Sequence, residues 1–371
     1  MHKPGKQHRG QHKSLQMAFV KLQERQLTLE QVRRVAVERQ GAIHIEVHEA
    51  GKHRFFVYEA NELRELQPEN DTKIPLVTEL HRDGFAADHK IISYRPGRRI
   101  VLGPTKGEHD NFIKAYKKRR AAQAAERYAV ALTACEPGGF DVPELLQYDP
   151  GLDCLVMAKR SGQAPEIAAD AAAVWMSIGT CLRRFQQFRF TDGLQEFNYR
   201  DELDVLDERA RRFTLCSPDL PGHWKVGRER LEDLAENLPH VVKGLAHRDL
   251  HDGQFIVAGE TISLLDFDLI CTADVALDAG NLLAHVKLRA LQQRQEKGRS
   301  AVSVCSKAFL DGLGRQDEPG FEHRLLFYQA TTFYRLALLY ALRPRWTFLT
   351  DRLIDEGKRC IDAVNGLRAK P

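Results

Sequence analysis

Leu245-Ala-His-Arg-Asp-Leu-His-Asp-Gly-Gln-Phe255 and Leu264-Leu-Asp-Phe-Asp268 decide how this chain is read. A His-x-Asp triplet is followed five residues later by a side-chain amide, Gln254, and twelve residues after that by a second carboxylate, Asp266. Moving a phosphoryl group from a nucleotide asks little covalent chemistry of a protein. One carboxylate must hold the acceptor hydroxyl and take its proton, and oxygen ligands must hold Mg²⁺ against the phosphates. Asp249, Gln254 and Asp266 supply those groups in that order. Residues 245–255 mix turn formers with a few apolar anchors and read as a loop. Thr261-Ile-Ser-Leu-Leu265 is short and β-rich and reads as a strand, which places Asp266 at a strand end. Mg²⁺ is a hard ion that suits one or two carboxylates plus substrate phosphates.

With His247-Arg-Asp249, Gln254 and Asp266-Phe-Asp268, followed by Asp278-Ala-Gly-Asn-Leu-Leu283, the chain resembles the aminoglycoside phosphotransferase and choline kinase-like family. This is the small-molecule branch of the protein-kinase-like fold. The step from Asp249 to Gln254 also matches the protein-kinase catalytic loop. Asp268 stands where protein kinases carry Gly, and no Ala-Pro-Glu segment follows. The resemblance covers about residues 75–345. It implies that Asp249 is the catalytic base, that Gln254 and Asp266 are Mg²⁺ ligands, and that His247, Asp268 and Asp278 support the site. His247 would pack beneath the loop, and Asp278 would brace it through backbone amides. Gln254 departs from the commoner Asn, giving the same amide oxygen on one more methylene.

The kinase-like fold also needs a strand Lys on the phosphates and a helix Glu to hold it. Asn111-Phe-Ile-Lys-Ala-Tyr-Lys117 reads as a strand carrying Lys114, and the Ala-rich run 121–134 reads as a helix. Glu126 is the only acidic residue between Lys114 and Cys135, so it is the expected partner. The basic run Lys117-Lys-Arg-Arg120 reads as a solvated helix start. Upstream, residues 89–102 read as a hairpin turning at Pro96-Gly97. A Gly-x-Gly-x-x-Gly loop is absent, and backbone amides near Gly84 or Gly103 are the candidates to replace it. Residues 153–158 read as the last strand of the first lobe. Backbone groups near Met157 and Lys159 would hold the base of ATP or GTP.

Beyond the hinge, Val174, Ile178, Leu182, Phe185 and Phe188 recur near helical period. Further helices are expected at about 199–215, 226–238, 277–294, 301–313, 321–343 and 351–366. Trp175, Phe185, Phe327, Phe333 and Tyr334 on these helices read as core. The acidic segment Glu196 to Glu208 could attract a cationic acceptor, but four Arg offset it and a solvated helix is the simpler reading. Residues 14–40 read as an amphipathic helical extension, and Ile43–Val47 with Arg54–Tyr58 as a hairpin turning at Gly51.

Composition fits a globular enzyme of the cytoplasm. Hydrophobic residues are 43% and charged residues 29% of 371, and no apolar run approaches membrane-spanning length. Seven Cys without a Cys-x-x-Cys pair suggest reduced thiols rather than a disulfide scaffold. The net charge of +4 equals the contribution of Lys3, Lys6, Arg9 and Lys13, and no basic stripe with interleaved aromatics argues for nucleic acid.

The expected fold is α+β: a two-lobed protein-kinase-like fold with a small β-rich N-terminal lobe and a larger, mostly helical C-terminal lobe. Residues 1–40 would be a basic disordered tail and helical extension, 41–160 the nucleotide-clamping lobe, and 161–371 the lobe with catalytic loop and acceptor site. The expected activity is Mg²⁺-dependent transfer from ATP or GTP to a small-molecule hydroxyl on an aminoglycoside, amino alcohol, sugar or similar. A protein Ser/Thr kinase and a non-catalytic nucleotide-binding scaffold are the alternatives.

Overall fold

A computed structural model describes residues 14–83, 89–104, 110–189, 193–217, 219–239, 241–293 and 297–368. The basic N-terminal residues through Lys13, and Gly84, lie outside the described residues. In chain order, helix α1 (Ser14–Glu24) precedes strands β1 (Val32–Val37), β2 (Ile43–Glu49), β3 (Lys52–Glu59) and β4 (Glu62–Leu66). Helix α2 (Pro75–Asp83) leads to β5 (His89–Arg95), β6 (Arg99–Pro104) and β7 (Asn111–Tyr116). Then come α3 (Ala121–Gly138), β8 (Leu145–Asp149), β9 (Cys154–Ala158), α4 (Ala172–Gln186) and β10 (Glu196–Phe197). Helices α5 (Tyr199–Thr214) and α6 (Trp224–Ala235) are followed by β11 (Lys243–Ala246), β12 (Phe255–Ala258), β13 (Thr261–Leu264) and β14 (Cys271–Asp274). Four helices close the chain: α7 (Ala276–Gln293), α8 (Lys297–Leu313), α9 (Phe321–Ala341) and α10 (Thr350–Arg368).

The chain packs as two compact units. One holds the chain up to Leu66, Asn198–Pro239 and the chain from Glu322; the other holds Gln67–Phe197 and His240–Phe321. Residues 41–160 thus draw on both.

In the first unit, β1 to β4 form an antiparallel meander. Alternation in β2 turns Ile43, Ile45 and Val47 inward, as a half-buried strand requires. The β2–β3 turn passes through Ala50 and Gly51, both at positive φ, the conformation that lets a two-residue loop match strand twist. The expected helix over 14–40 is corrected here: α1 stops at Glu24, and Val32, Val35 and Val37 are buried in β1. Their branched Cβ atoms suit a pleated surface better than a helix interior. Among the helices of this unit, Trp224 donates its indole N–H to the Tyr334 carbonyl at 2.9 Å.

In the second unit, a five-stranded sheet runs in the order β5-β6-β7-β9-β8. Helix α3 lays Ala121, Ala124, Tyr128, Ala131 and Cys135 inward, with Ala121 and Ala124 against Tyr116 and Leu155. Its N-terminus has no cap of its own. Asp153, held at φ 49° in the β8–β9 turn, supplies one by accepting from the backbone N–H of Arg119, Arg120 and Ala121. Helices α4 and α8 meet through glycines. A Cβ on Gly179 would fall 2.1 Å from the Phe309 carbonyl oxygen, and one on Gly312 would fall 2.0 Å from that of Met176. The helices expected beyond the hinge appear within a few residues of their expected ends.

Candidate active site

Strand β11 carries the chain into the loop with Leu245, Ala246 and His247 buried. Helix α7 fixes the loop's shape. Asp278, near its start, accepts from the backbone N–H of His247 and of Arg248, each at 2.7 Å, and Asn281 donates its side-chain amide to the Arg248 carbonyl at 3.0 Å. Burial pushes the Asp278 carboxyl up, and the two N–H donors oppose that shift. Arg248 takes φ 71°, a left-handed conformation that an L side chain adopts only under such constraint. Its guanidinium lies 3.7 Å from the centroid of the Phe197 ring. The turn at Arg248 delivers Asp249 to the surface, where its carboxylate makes no hydrogen bond or ion pair among the described residues.

His247 is sealed in. Its Nε2–H donates to the Leu265 carbonyl at 2.7 Å, Nδ1 is buried without a partner, and the ring meets Phe267 edge-on at 5.7 Å. It ties the loop to the end of β13.

Gln254 and Asp266, twelve residues apart, become neighbours because β12 and β13 form a hairpin turning at Gly259 (φ 62°). The pair Phe255–Leu264 is extended by Leu265 N–H donating to the Gln254 carbonyl at 2.9 Å. The Gln254 amide nitrogen lies 3.3 Å from His251 Nε2. His251 Nδ1 accepts from Gly253 N–H, so the neutral ring carries its proton on Nε2. Two donors would then face each other, so the amide is assigned the other way round, with its oxygen on that N–H and a lone pair left for a cation.

Asp266 sits at φ 61°, the second left-handed residue of the site. Its carboxylate receives the Lys114 ammonium at 2.8 Å and lies 3.8 Å from Arg99. Burial alone would raise its pKa, but Lys114 and Arg99 together hold the carboxyl far below the usual carboxylate range. Asp268 is also enclosed by donors: Lys114 at 2.7 Å, the Tyr116 hydroxyl at 2.7 Å, and Arg99. Burial, then the adjacent Asp268 carboxylate, pushes the Tyr116 hydroxyl pKa up.

The expected Lys114–Glu126 pair is corrected. The buried positions 121, 124, 128, 131 and 135 set the phase of α3 and leave Glu126 exposed, while the next residue, Arg127, reaches the Asp268 carbonyl. Asp266 and Asp268 take the place of Glu126. At the hinge, Lys159 turns its ammonium to Asp110 at 2.7 Å. The backbone N–H groups of Ala158 and Lys159 donate to the Glu144 and Asp110 carbonyls, so neither is a spare donor at this edge. The acidic segment is spent on structure. Asp201 closes a capping box with Asn198, Asp207 pairs with Arg228, Glu208 with Arg211 and Arg212, and buried Glu202 with Arg335.

No cluster of three or more His, Cys, Asp or Glu suited to a metal forms among the described residues. One ionised carboxylate beside one amide oxygen is nonetheless a donor set that fits Mg²⁺, which keeps waters and takes phosphate oxygens to complete its shell.

The phosphotransferase enzyme family is matched over residues 98–307, more than half of the chain and the whole of this site. The chain belongs to that family. Solved structures similar to it include the amicoumacin kinase hAmiN in complex with AMP-PNP, Ca²⁺ and Ami. That match has 18% identity, covers 77% of this chain and 93% of that one, and has a TM-score of 0.55. The aminoglycoside phosphotransferase APH(3'')-Id from Streptomyces rimosus matches at 18% identity over 69% and 97%, with a TM-score of 0.51. A glucosamine kinase matches at 18% identity over 91% and 94%, with a TM-score of 0.52. No curated protein matches the sequence at a significant level. The fold is that of the protein-kinase-like small-molecule kinases, with a β-rich N-terminal part and a mostly helical C-terminal part. As a member of this family, the chain is a phosphotransferase that acts on small molecules. The residue that sequence reading missed is Arg99, whose place in Arg98-Arg99 beside a turn looks like solvated basic surface.

Proposed function

We propose that the chain transfers the γ-phosphate of ATP or GTP to a hydroxyl of a small molecule, with Mg²⁺ as cofactor. The observation that carries this reading is the Lys114–Asp266 pair at 2.8 Å. It joins a phosphate-binding cation to a metal-binding carboxylate across 152 residues of sequence, beside the catalytic loop. In this reading exposed Asp249 orients the acceptor hydroxyl and takes its proton, while sealed His247 and buried Asp278 hold the loop that presents it. Gln254, through its amide oxygen, and Asp266 would hold Mg²⁺, which supplies charge neutralisation at the phosphate oxygens. Lys114 neutralises the phosphates that are not transferred, and Asp268 keeps it in place. The base lies along the backbone from Met157 to Lys159. The nucleotide clamp falls within residues 41–160 and the catalytic loop within 161–371. Positioning and charge stabilisation then supply most of the rate.

The similar kinase bound to AMP-PNP and Ca²⁺ supports a nucleotide with a divalent cation as donor. Aminoglycosides, amino alcohols and sugars are the acceptor classes to screen.

The test is thermal stability with ATP and with GTP, with and without Mg²⁺, followed by nucleotide consumption over an acceptor panel. Wild type should show a shift that needs Mg²⁺, and Asp266→Ala should lose it. Asp249→Asn should keep the shift while kcat falls by about a hundredfold or more, the usual contribution of a general base. An Asp249→Asn enzyme of full activity would overturn the base assignment. Wild type unmoved by millimolar nucleotide would overturn the reaction.

A further inference from the structure

We infer that Arg99 is a second phosphate-binding cation, which takes over the work of the missing glycine-rich loop. The inference rests on the phosphotransferase reading above and concerns the same nucleotide.

In kinases with a glycine-rich hairpin, the backbone at the tip covers the phosphates. Here the tip is short and tied down. It closes with Arg98 N–H donating to the Arg95 carbonyl at 2.9 Å. The amide of Gly97, which sits at φ 65°, is spent on the Asp71 carboxylate at 2.6 Å, and the same oxygen takes the Tyr94 hydroxyl at 2.9 Å. Asp71 in turn accepts from Lys73 N–H at 3.1 Å, so the tip is fastened to the segment before α2. A tip held this way has no spare amide at Gly97 to offer a phosphate.

Arg99 begins the strand that follows. In the β6–β7 register Val101 faces Lys114 and Arg99 faces Tyr116, so Arg99 and Lys114 project from the same face of the sheet as diagonal neighbours. Both reach the same two carboxylates. Arg99 touches Asp268 directly and lies 3.8 Å from Asp266, and Lys114 touches both. Arg99 is largely enclosed, with its side chain 17% exposed, and its Nε is buried with no hydrogen-bond partner. A buried guanidinium with an unused donor is a costly arrangement unless something else completes it. The planar fork of Arg matches a phosphate through two parallel N–H donors. A polyphosphate tail beside Asp266 offers the oxygens that this fork lacks. Asp268 is then the counter-charge that keeps both cations pointed at the phosphates.

The experiment is competition against a fluorescent ATP analogue by ATP, ADP, AMP and adenosine, on wild type, Arg99→Met and Arg99→Lys, each checked for a cooperative melt. The guanine series is used if wild type prefers it. The expected result is a loss of about tenfold or more for ATP and ADP in Arg99→Met, the scale of a charged hydrogen bond, with AMP and adenosine unmoved. Arg99→Lys should lose less and in the same pattern, and it carries the comparison if Arg99→Met does not fold. Unchanged ATP binding in these variants, or an equal loss for all four ligands as a purely structural role would give, overturns the inference. Wild type that binds neither ATP nor GTP overturns the reaction itself, a result the variants cannot mimic.

Discussion

Asp266 shows how much one residue can be made to hold. It occupies a left-handed backbone position, and its carboxyl is kept ionised by Lys114 and Arg99. The sign of its pH effect follows from linkage. A carboxyl whose folded pKa lies below its unfolded value stabilises fully above the unfolded value and loses that contribution as pH falls through the folded one. The ordinary value here is 3.8 and the folded value is lower. The melting-temperature difference between wild type and Asp266→Asn should therefore be constant between about pH 5 and 8 and shrink only in stronger acid. A difference that fades near neutrality would mean the carboxyl is not paired as described. At this scale spacing singles out Asp249, Gln254, Asp266 and Lys114 in the sequence, and the structure pairs Lys114 with Asp266. Spacing was uninformative where helix phase decides. Glu126 qualified as the only acidic candidate, yet alanines and Tyr128 on the inner face of α3 turn it to solvent. Arg99 carried no signal beyond lying two residues from the strand partner of Lys114.

At the level of elements, α4 and α8 pack backbone against backbone. Gly179 and Gly312 let the two backbones approach until a single methyl group would overlap a carbonyl oxygen. Gly312→Ala should lower stability by about 1–3 kcal/mol, the usual cost of overpacking, although Ala favours a helix more than Gly does. A melt at or above that of wild type would show that the helices can part without cost. Periodicity found both helices because their apolar stripes are long. It could not show which residues touch, because Gly has no side chain to mark a face. The cap on α3 was equally hidden, since Asp153 lies 32 residues from Ala121 and no local signal joins them. The helix expected over 14–40 ends at Glu24, and Val32, Val35 and Val37 form a strand whose register breaks between Val32 and Arg34, so no clean alternation marks it in the sequence.

Over the whole molecule, none of the seven cysteines forms a disulfide and all are buried. Burial raises the Cys135 and Cys216 thiols to about 12 and Cys154 to about 11, so these stay protonated at neutral pH and react slowly. Native protein exposed to iodoacetamide at about pH 7.5 should gain almost no adducts by intact mass, and denatured protein should gain one per cysteine. Rapid labelling in the native state would point to a thiol that folding leaves open. No helix among the described residues is long and apolar enough to cross a membrane. The kinase-like architecture was legible from sequence because the catalytic loop is local and its motif dense. The packing of the first 66 residues was not, because their partners come from far along the chain.

Asp278 bears on the order in which the protein matures. The loop from His247 to Gln254 contains the groups that would do the chemistry, but its bend at Arg248 is set by a carboxylate and an amide that follow some 30 residues later. A growing chain that has emerged only as far as β14 carries every residue of the loop and still lacks its shape. Competence therefore cannot precede the first turns of α7, so a chain interrupted at β14 would be silent rather than partly active.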